Sequence, residues 1–166
     1  MPAGDLSNAI GERGEAIFAS IMTKFHGTLP LFRRPVHLGD KWPFVDYVCE
    51  LIGPWRTFKP FFFVQVKATM NGYTHEDGRL KVAISATRAR ALQRFKVPVY
   101  LVGVDADSER VFIVGVAGRV ASLSSMHTGT ELDVSGRRKL WGEVRQFWVK
   151  VPRSANWTTL KEPMWK

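Results

Sequence analysis

Asp46, Gln65 and Lys67 are the residues whose types and spacing suggest chemistry first. They stand in two strand-like runs, Phe44 to Ile52 and Phe61 to Thr69. Between the runs lies Gly53-Pro54-Trp55-Arg56-Thr57-Phe58-Lys59-Pro60, a turn-rich stretch that predicts a hairpin loop. A carboxylate, an amide oxygen and an ammonium brought together can hold a hard cation, orient a water and neutralise charge on a phosphate.

A hairpin centred between Arg56 and Thr57 sets Asp46 opposite Lys67, Val48 opposite Gln65, Glu50 opposite Phe63 and Ile52 opposite Phe61. Side chains alternate along a strand, so these eight share one face. The other face then collects Val45, Tyr47, Cys49, Leu51, Phe62, Val64, Val66 and Ala68, all apolar or aromatic. A slip of one residue spoils that separation. Taken alone, Asp46 and Lys67 also read as a cross-strand ion pair worth about 0.2–1 kcal/mol, with no catalysis attached.

The elements around the hairpin shift that weighing. Ile10, Ile17, Phe18, Ile21 and Phe25 recur at helical spacing and predict a first helix from Ser7 to Phe25, with Ser7 or Asn8 as cap and Gly27 as its end. Glu15 sits at the edge of this apolar stripe, where it reaches the rim of the packed face; Glu12 points to water. Gly11 and Gly14 permit close approach of backbone or ligand. The constellation becomes Glu15, Asp46, Gln65 and Lys67, an oxygen-rich set that suits Mg²⁺ or Mn²⁺.

At these positions the chain resembles a family. Asp46 followed after a hairpin loop by Gln65-Val66-Lys67 is similar to the core motif of the PD-(D/E)XK, or restriction-endonuclease-like, nuclease superfamily. Gly11-Glu12-Arg13-Gly14-Glu15 ahead of an apolar helix resembles the helix motif of its Holliday-junction-resolvase-like and Mrr-like branches, nearest to a bacterial domain family of uncharacterised function. The likeness covers residues 8–116. It implies an α/β domain with a restriction-endonuclease-like mixed sheet flanked by helices, acting as a Mg²⁺-dependent endonuclease on DNA in restriction, repair or antiphage defence. By the same resemblance Asp46 is the first motif acid, Lys67 the motif lysine and Glu15 the helix carboxylate. The metal set is Asp46, Gln65, the Val66 carbonyl and Glu15. Gln65 stands where most members carry an acid, so a non-catalytic nucleic-acid-binding or scaffold domain on the same fold is the rival reading.

Further along, Asp77-Gly78 marks a turn before a strand at Leu80–Ile84, and Ser85 caps a helix from Ala86 to Phe95. Val97 to Val104 is a near-continuous apolar run, the pattern of a strand buried on both faces. Val111 to Val116 predicts another strand and Phe147 to Val151 a last one, with residues 119–146 unresolved by pattern. No linker divides the chain, so a single domain is expected, with residues 117–166 as a C-terminal extension.

Composition sets the partner class. The chain has 166 residues, 24 Lys plus Arg against 15 Asp plus Glu, and a net charge of +9. Such an excess points to a polyanion, with nucleic acid first and an acidic membrane surface second; the resemblance makes DNA the expected partner, with RNA open and no membrane. Arg90 and Arg94, one helical turn apart, and the Arg137-Arg138-Lys139 cluster are the candidate phosphate contacts. The single Cys49 excludes an internal disulfide and a cysteine-rich zinc site. Without a membrane-length apolar run or a signal-like start, a cytoplasmic home is expected. A domain this small has no room for a motor or large reader, so specificity is expected from a homodimer or partner subunit.

The remaining candidates carry less. Glu50 shares the Asp46 face but lies roughly 13 Å along the strand, too far to share one metal. His26, His37, His75 and His127 lack ligand spacing and read as loop residues. Trp141, Trp148, Trp157 and Trp165 read as core or subunit packing in preference to base-stacking platforms.

Overall fold

The computed structural model describes residues 3–56, 58–150 and 158–165. Helix α1 (Ala3–Met22) leads into a two-stranded ribbon, β1 (Phe25–His26) and β2 (Leu29–Pro30), that turns on Gly27 at φ 69°. A five-stranded mixed sheet follows: β3 (Val36–His37), β4 (Tyr47–Glu50), β5 (Phe61–Thr69), β6 (Val99–Asp105) and β7 (Arg110–Gly115), in that spatial order. Only the β5–β6 pair is parallel, and the crossover between them carries helix α2 (Ala86–Gln93). Helix α3 (Val134–Val149) completes the set. The α/β class with a mixed sheet flanked by helices is therefore as expected.

Two apolar layers sandwich the sheet. On one face Tyr47, Cys49, Leu51, Phe62, Val64 and Val66 pack against Ile17, Phe18 and Met22 of α1 and Leu140 and Val144 of α3. On the other, Phe63, Val99 and Leu101 pack against Ala89 and Leu92 of α2 and against Leu80, Val82 and Ile84. β6 is buried along its whole length, as its unbroken apolar run demands.

Gly14 sets how closely α1 lies on the sheet. A β-carbon there would run into the β-carbon of Ala68, so only glycine lets the helix settle on β5. Gly11, one turn earlier, faces open space.

Several expectations are corrected. α1 begins before Ser7 and ends at Met22, so Ser7 and Asn8 lie inside the helix and cap nothing. Leu80–Ile84 makes only isolated bridges, to Tyr73, Met126 and Leu123. Phe147–Val149 is the end of α3, not a strand. Leu140, Val144 and Phe147 share one buried helical stripe, and the Asp133 carboxylate caps the start by accepting the Gly136 N–H (2.7 Å). Val151 and Trp157, and Thr57 at the expected hairpin centre, lie outside the described residues.

The hairpin register differs by two residues. Tyr47 pairs with Val64, Val48 with Phe63, Cys49 with Phe62 and Glu50 with Phe61. Leu51 N–H bonds the Pro60 carbonyl (2.9 Å), closing the loop nearer to Trp55. A two-residue shift keeps every side chain on its expected face, but it removes Asp46 from the position opposite Lys67. Val45 is the exception, joining the Phe63 layer instead of the Tyr47 layer. The Asp46 N–H donates to the Val64 carbonyl (2.8 Å) although Val64 is already the partner of Tyr47. The strand bulges there, and a bulge resets the alternation.

The C-terminal segment closes the far side of the sheet. Gly115 N–H bonds the Leu160 carbonyl (2.7 Å), and Leu132 N–H bonds that of Val111 (2.7 Å), so the β7 edge is covered. Glu143 of α3 is buried and accepts from Tyr100 Oη (2.8 Å), Thr159 N (2.7 Å) and the Thr158 hydroxyl. Arg79 and Glu162 form a buried ion pair at 2.6 Å. No described helix is long and apolar enough to cross a membrane.

Candidate active site

A cavity of about 750 Å³ opens at the C-terminal end of β5, between the first turns of α1 and the connection from β3 to β4. Glu15, Asp46, Gln65, Val66 and Lys67 all line it. The bulge brings Asp46 there: its Oδ2 accepts the Val66 N–H at 2.6 Å, which fixes the carboxylate on the strand and leaves Oδ1 as a donor oxygen. β5 carries Gln65 and Lys67 on one face, and the close seat of α1 on Ala68 brings Glu15 over from the other side.

Two residues that the sequence reading placed elsewhere stand against Glu15. Tyr47 Oη donates to Glu15 Oε2 at 2.9 Å, and His37 Nε2 lies 3.8 Å from the same oxygen. The His37 ring stands edge-on to Tyr47, with centroids 5.3 Å apart. His37 was expected in a loop; instead it belongs to the edge strand β3, too short to show any periodicity. Burial, together with the bond to Glu15, pushes the Tyr47 phenol well up, so it stays a donor.

The charges in the cavity strain against one another. Burial raises the Asp46 pKa, and the neighbouring Glu15 charge adds to this, while the Val66 N–H and Lys67 oppose it. Burial lowers the Lys67 pKa, and Arg88 pushes it further. Arg88 lines the same cavity from α2. The Arg88 backbone N–H bonds the Ser85 cap, so the capping signal placed its backbone without revealing where its side chain goes.

Gln65 is 3% exposed, and its Oε1 has no hydrogen-bond partner among protein groups. A buried amide oxygen left unpaired by protein groups is one that an ordered water or a cation can satisfy. With Asp46 and Glu15, which line the same cavity, it adds a third hard oxygen of the kind that could hold Mg²⁺, an ion that keeps several waters. Among the described residues no three His, Cys, Asp or Glu side chains gather as metal ligands, so the set rests on two carboxylates and the amide.

The expected phosphate contacts divide. Arg90 and Arg94 are exposed at α2 but do not line the cavity. Arg138 and Lys139 are exposed on α3, and Arg138 Nε donates to His26 Nε2 (3.0 Å). Arg137 is a correction. It is 3% exposed and donates to the carbonyls of Ile21 (3.3 Å) and Lys24 (2.7 Å) at the end of α1. Its guanidinium is spent on carbonyls at and just beyond the helix end, so it is not the freely exposed phosphate contact that the cluster suggested. Glu50 pairs with Arg33 (3.4 Å), away from the cavity. Trp141, Trp148 and Trp165 donate to the carbonyls of Ile52, Phe61 and Ala121, and their rings serve packing.

No protein-family model matches this sequence, and no curated protein or solved structure matches it.

Proposed function

We propose that this chain is a metal-dependent nuclease domain of the PD-(D/E)XK kind, hydrolysing phosphodiester bonds in DNA. The observation that carries the reading is the convergence of Glu15, Asp46, Gln65 and Lys67 on one cavity, with the Gln65 oxygen buried and unpaired. The motif order helix, strand, strand and the +9 charge support it.

In this reading Asp46 Oδ1, Gln65 Oε1, the Val66 carbonyl and Glu15 would hold Mg²⁺ or Mn²⁺. When bound, the ion would supply Lewis acidity to polarise the phosphodiester. Tyr47 holds one oxygen of Glu15 so that its second oxygen can accept from the attacking water. Lys67, lining the cavity beside Asp46, orients that water and its ammonium neutralises charge as the new P–O bond forms. As the water attacks, its proton passes to the free Glu15 oxygen; one ester P–O bond breaks, and the leaving oxygen takes a proton from solvent water.

Plasmid, linear, single-stranded and branched DNA incubated with Mg²⁺ or Mn²⁺ test this directly. Cleavage by the wild type that is lost in Asp46→Asn supports the site. Equal cleavage by both overturns it. A wild type that binds DNA without cutting, and gains cleavage on Gln65→Glu, supports the rival reading of a binding domain that has lost its acid.

A further inference from the structure

The connection from β3 to β4 sets two aromatic rings at the mouth of the cavity. Trp42 and Phe44 both line it, and they remain 44% and 38% exposed. Trp42 is supported from behind by Phe63 and Phe95, with ring centroids 5.4 and 6.5 Å away and the Phe95 ring inclined by only 26°. Phe44 sits at φ 76°, a conformation that a β-carbon and a bulky ring disfavour.

The fold holds it there. Val45 N–H bonds the Trp42 carbonyl (3.4 Å), and Leu38 N–H bonds that of Asp46 (2.9 Å), closing the base of the loop. An apolar ring kept in a strained backbone at a wet rim, two residues before Asp46, is costly unless something covers it. The cations are also in place. The Arg88 guanidinium lies 5.8 Å from the Phe44 ring centroid, and Lys67 lines the same cavity.

Exposed flat rings beside cations match a strand whose bases are unpaired, because the bases offer π-faces and the backbone offers phosphates. A duplex keeps its base faces inside its own stack and offers this rim only charge. Resting on the nuclease reading above, we propose that Trp42 and Phe44 stack unpaired bases, so that the substrate is single-stranded DNA or the single-stranded end or flap of a duplex. Arg88 takes the phosphate next to a stacked base, and the strand continues into the cavity toward Asp46.

Binding in EDTA separates this from cleavage. The probes are a labelled oligothymidine and a blunt duplex of equal length, followed by fluorescence anisotropy. The wild type binds the single strand more tightly. Phe44→Gly, which removes the ring and suits a positive φ, weakens single-strand binding roughly five- to a hundredfold and leaves duplex binding within about twofold. Trp42→Leu acts in the same direction, and circular dichroism melts confirm that both variants fold. Equal wild-type affinity for duplex and single strand, or single-strand affinity unchanged in Phe44→Gly, overturns the proposal. A chain that binds single strands through the rim and never cuts removes the nuclease reading alone. One that cuts duplex with Phe44→Gly silent removes the stacking proposal alone.

Discussion

Asp46 holds a carboxylate where burial resists its charge. Its folded pKa is raised, so the folded chain binds that proton more tightly than the unfolded chain does. The fold therefore loses stability as pH rises from the ordinary carboxylate range through the raised value. Asp46→Asn removes this titration, and the amide oxygen can still accept the Val66 N–H. In EDTA the variant is expected to be at least as stable as wild type at neutral pH, with a flatter dependence of melting temperature on pH; thermal melts at a series of pH values check this. Gln65→Glu behaves in the opposite way. It adds a buried charge beside Asp46 and Glu15, so it melts lower in EDTA and gains more than wild type does when Mg²⁺ is added. A Mg²⁺ titration of the melting temperature that leaves both proteins equal would contradict a ligand role for Gln65.

Two of the three glycines of helix α1, Gly11 and Gly14, act oppositely. Gly14→Ala forces a methyl into Ala68, lifting the helix from β5 at an expected cost of about 1–3 kcal/mol. Because Glu15 is the next residue, cleavage falls along with stability. Gly11→Ala meets nothing, and it replaces a poor helix former, so it stabilises by about 0.5–1 kcal/mol. Urea denaturation of the two variants reads both signs. Equal effects would mean that the close seat of α1 does not position Glu15.

At the scale of the molecule, the C-terminal segment is tied to the sheet by polar groups in the interior. Arg79 donates to Ser125 Oγ (3.1 Å) and to the Ser125 carbonyl (2.7 Å) as well as to Glu162, whose other oxygen accepts the His127 N–H (2.8 Å). Glu162→Ala leaves the guanidinium buried without its counter-charge and is expected to cost about 3–5 kcal/mol. The double variant Arg79→Met, Glu162→Leu removes both charges and should recover part of that loss, as denaturant midpoints will show. The net charge gives a second molecular expectation. Affinity for duplex DNA falls steeply with salt, and Arg90→Glu with Arg94→Glu weakens binding to all sequences alike. A salt-independent affinity, or no effect of the double reversal, would remove the basic surface from the account.

The sequence by itself determined whatever depends on periodicity and local chemistry. The alternation of residues 44–52 and 61–69 assigned Tyr47, Cys49, Val64 and Val66 to one face, because burial of one face forbids a one-residue slip. Ser85 fixed the start of α2, and the apolar run after Lys96 fixed a doubly buried strand. Tertiary structure decided the rest. The register moved by two because alternation has a period of two and cannot distinguish such shifts; the closing bond from Leu51 to Pro60 made the choice. The bulge at Asp46 depends on a shared Val64 carbonyl, which no local pattern reveals. Arg137 was drawn inside because the end of α1, 113 residues earlier in the chain, left carbonyls in need of a donor. Trp42-Pro43-Phe44, so close to Asp46, was the legible sign of the rim. Its meaning came only from the strained φ of Phe44 and the arrival of Arg88 from a different element.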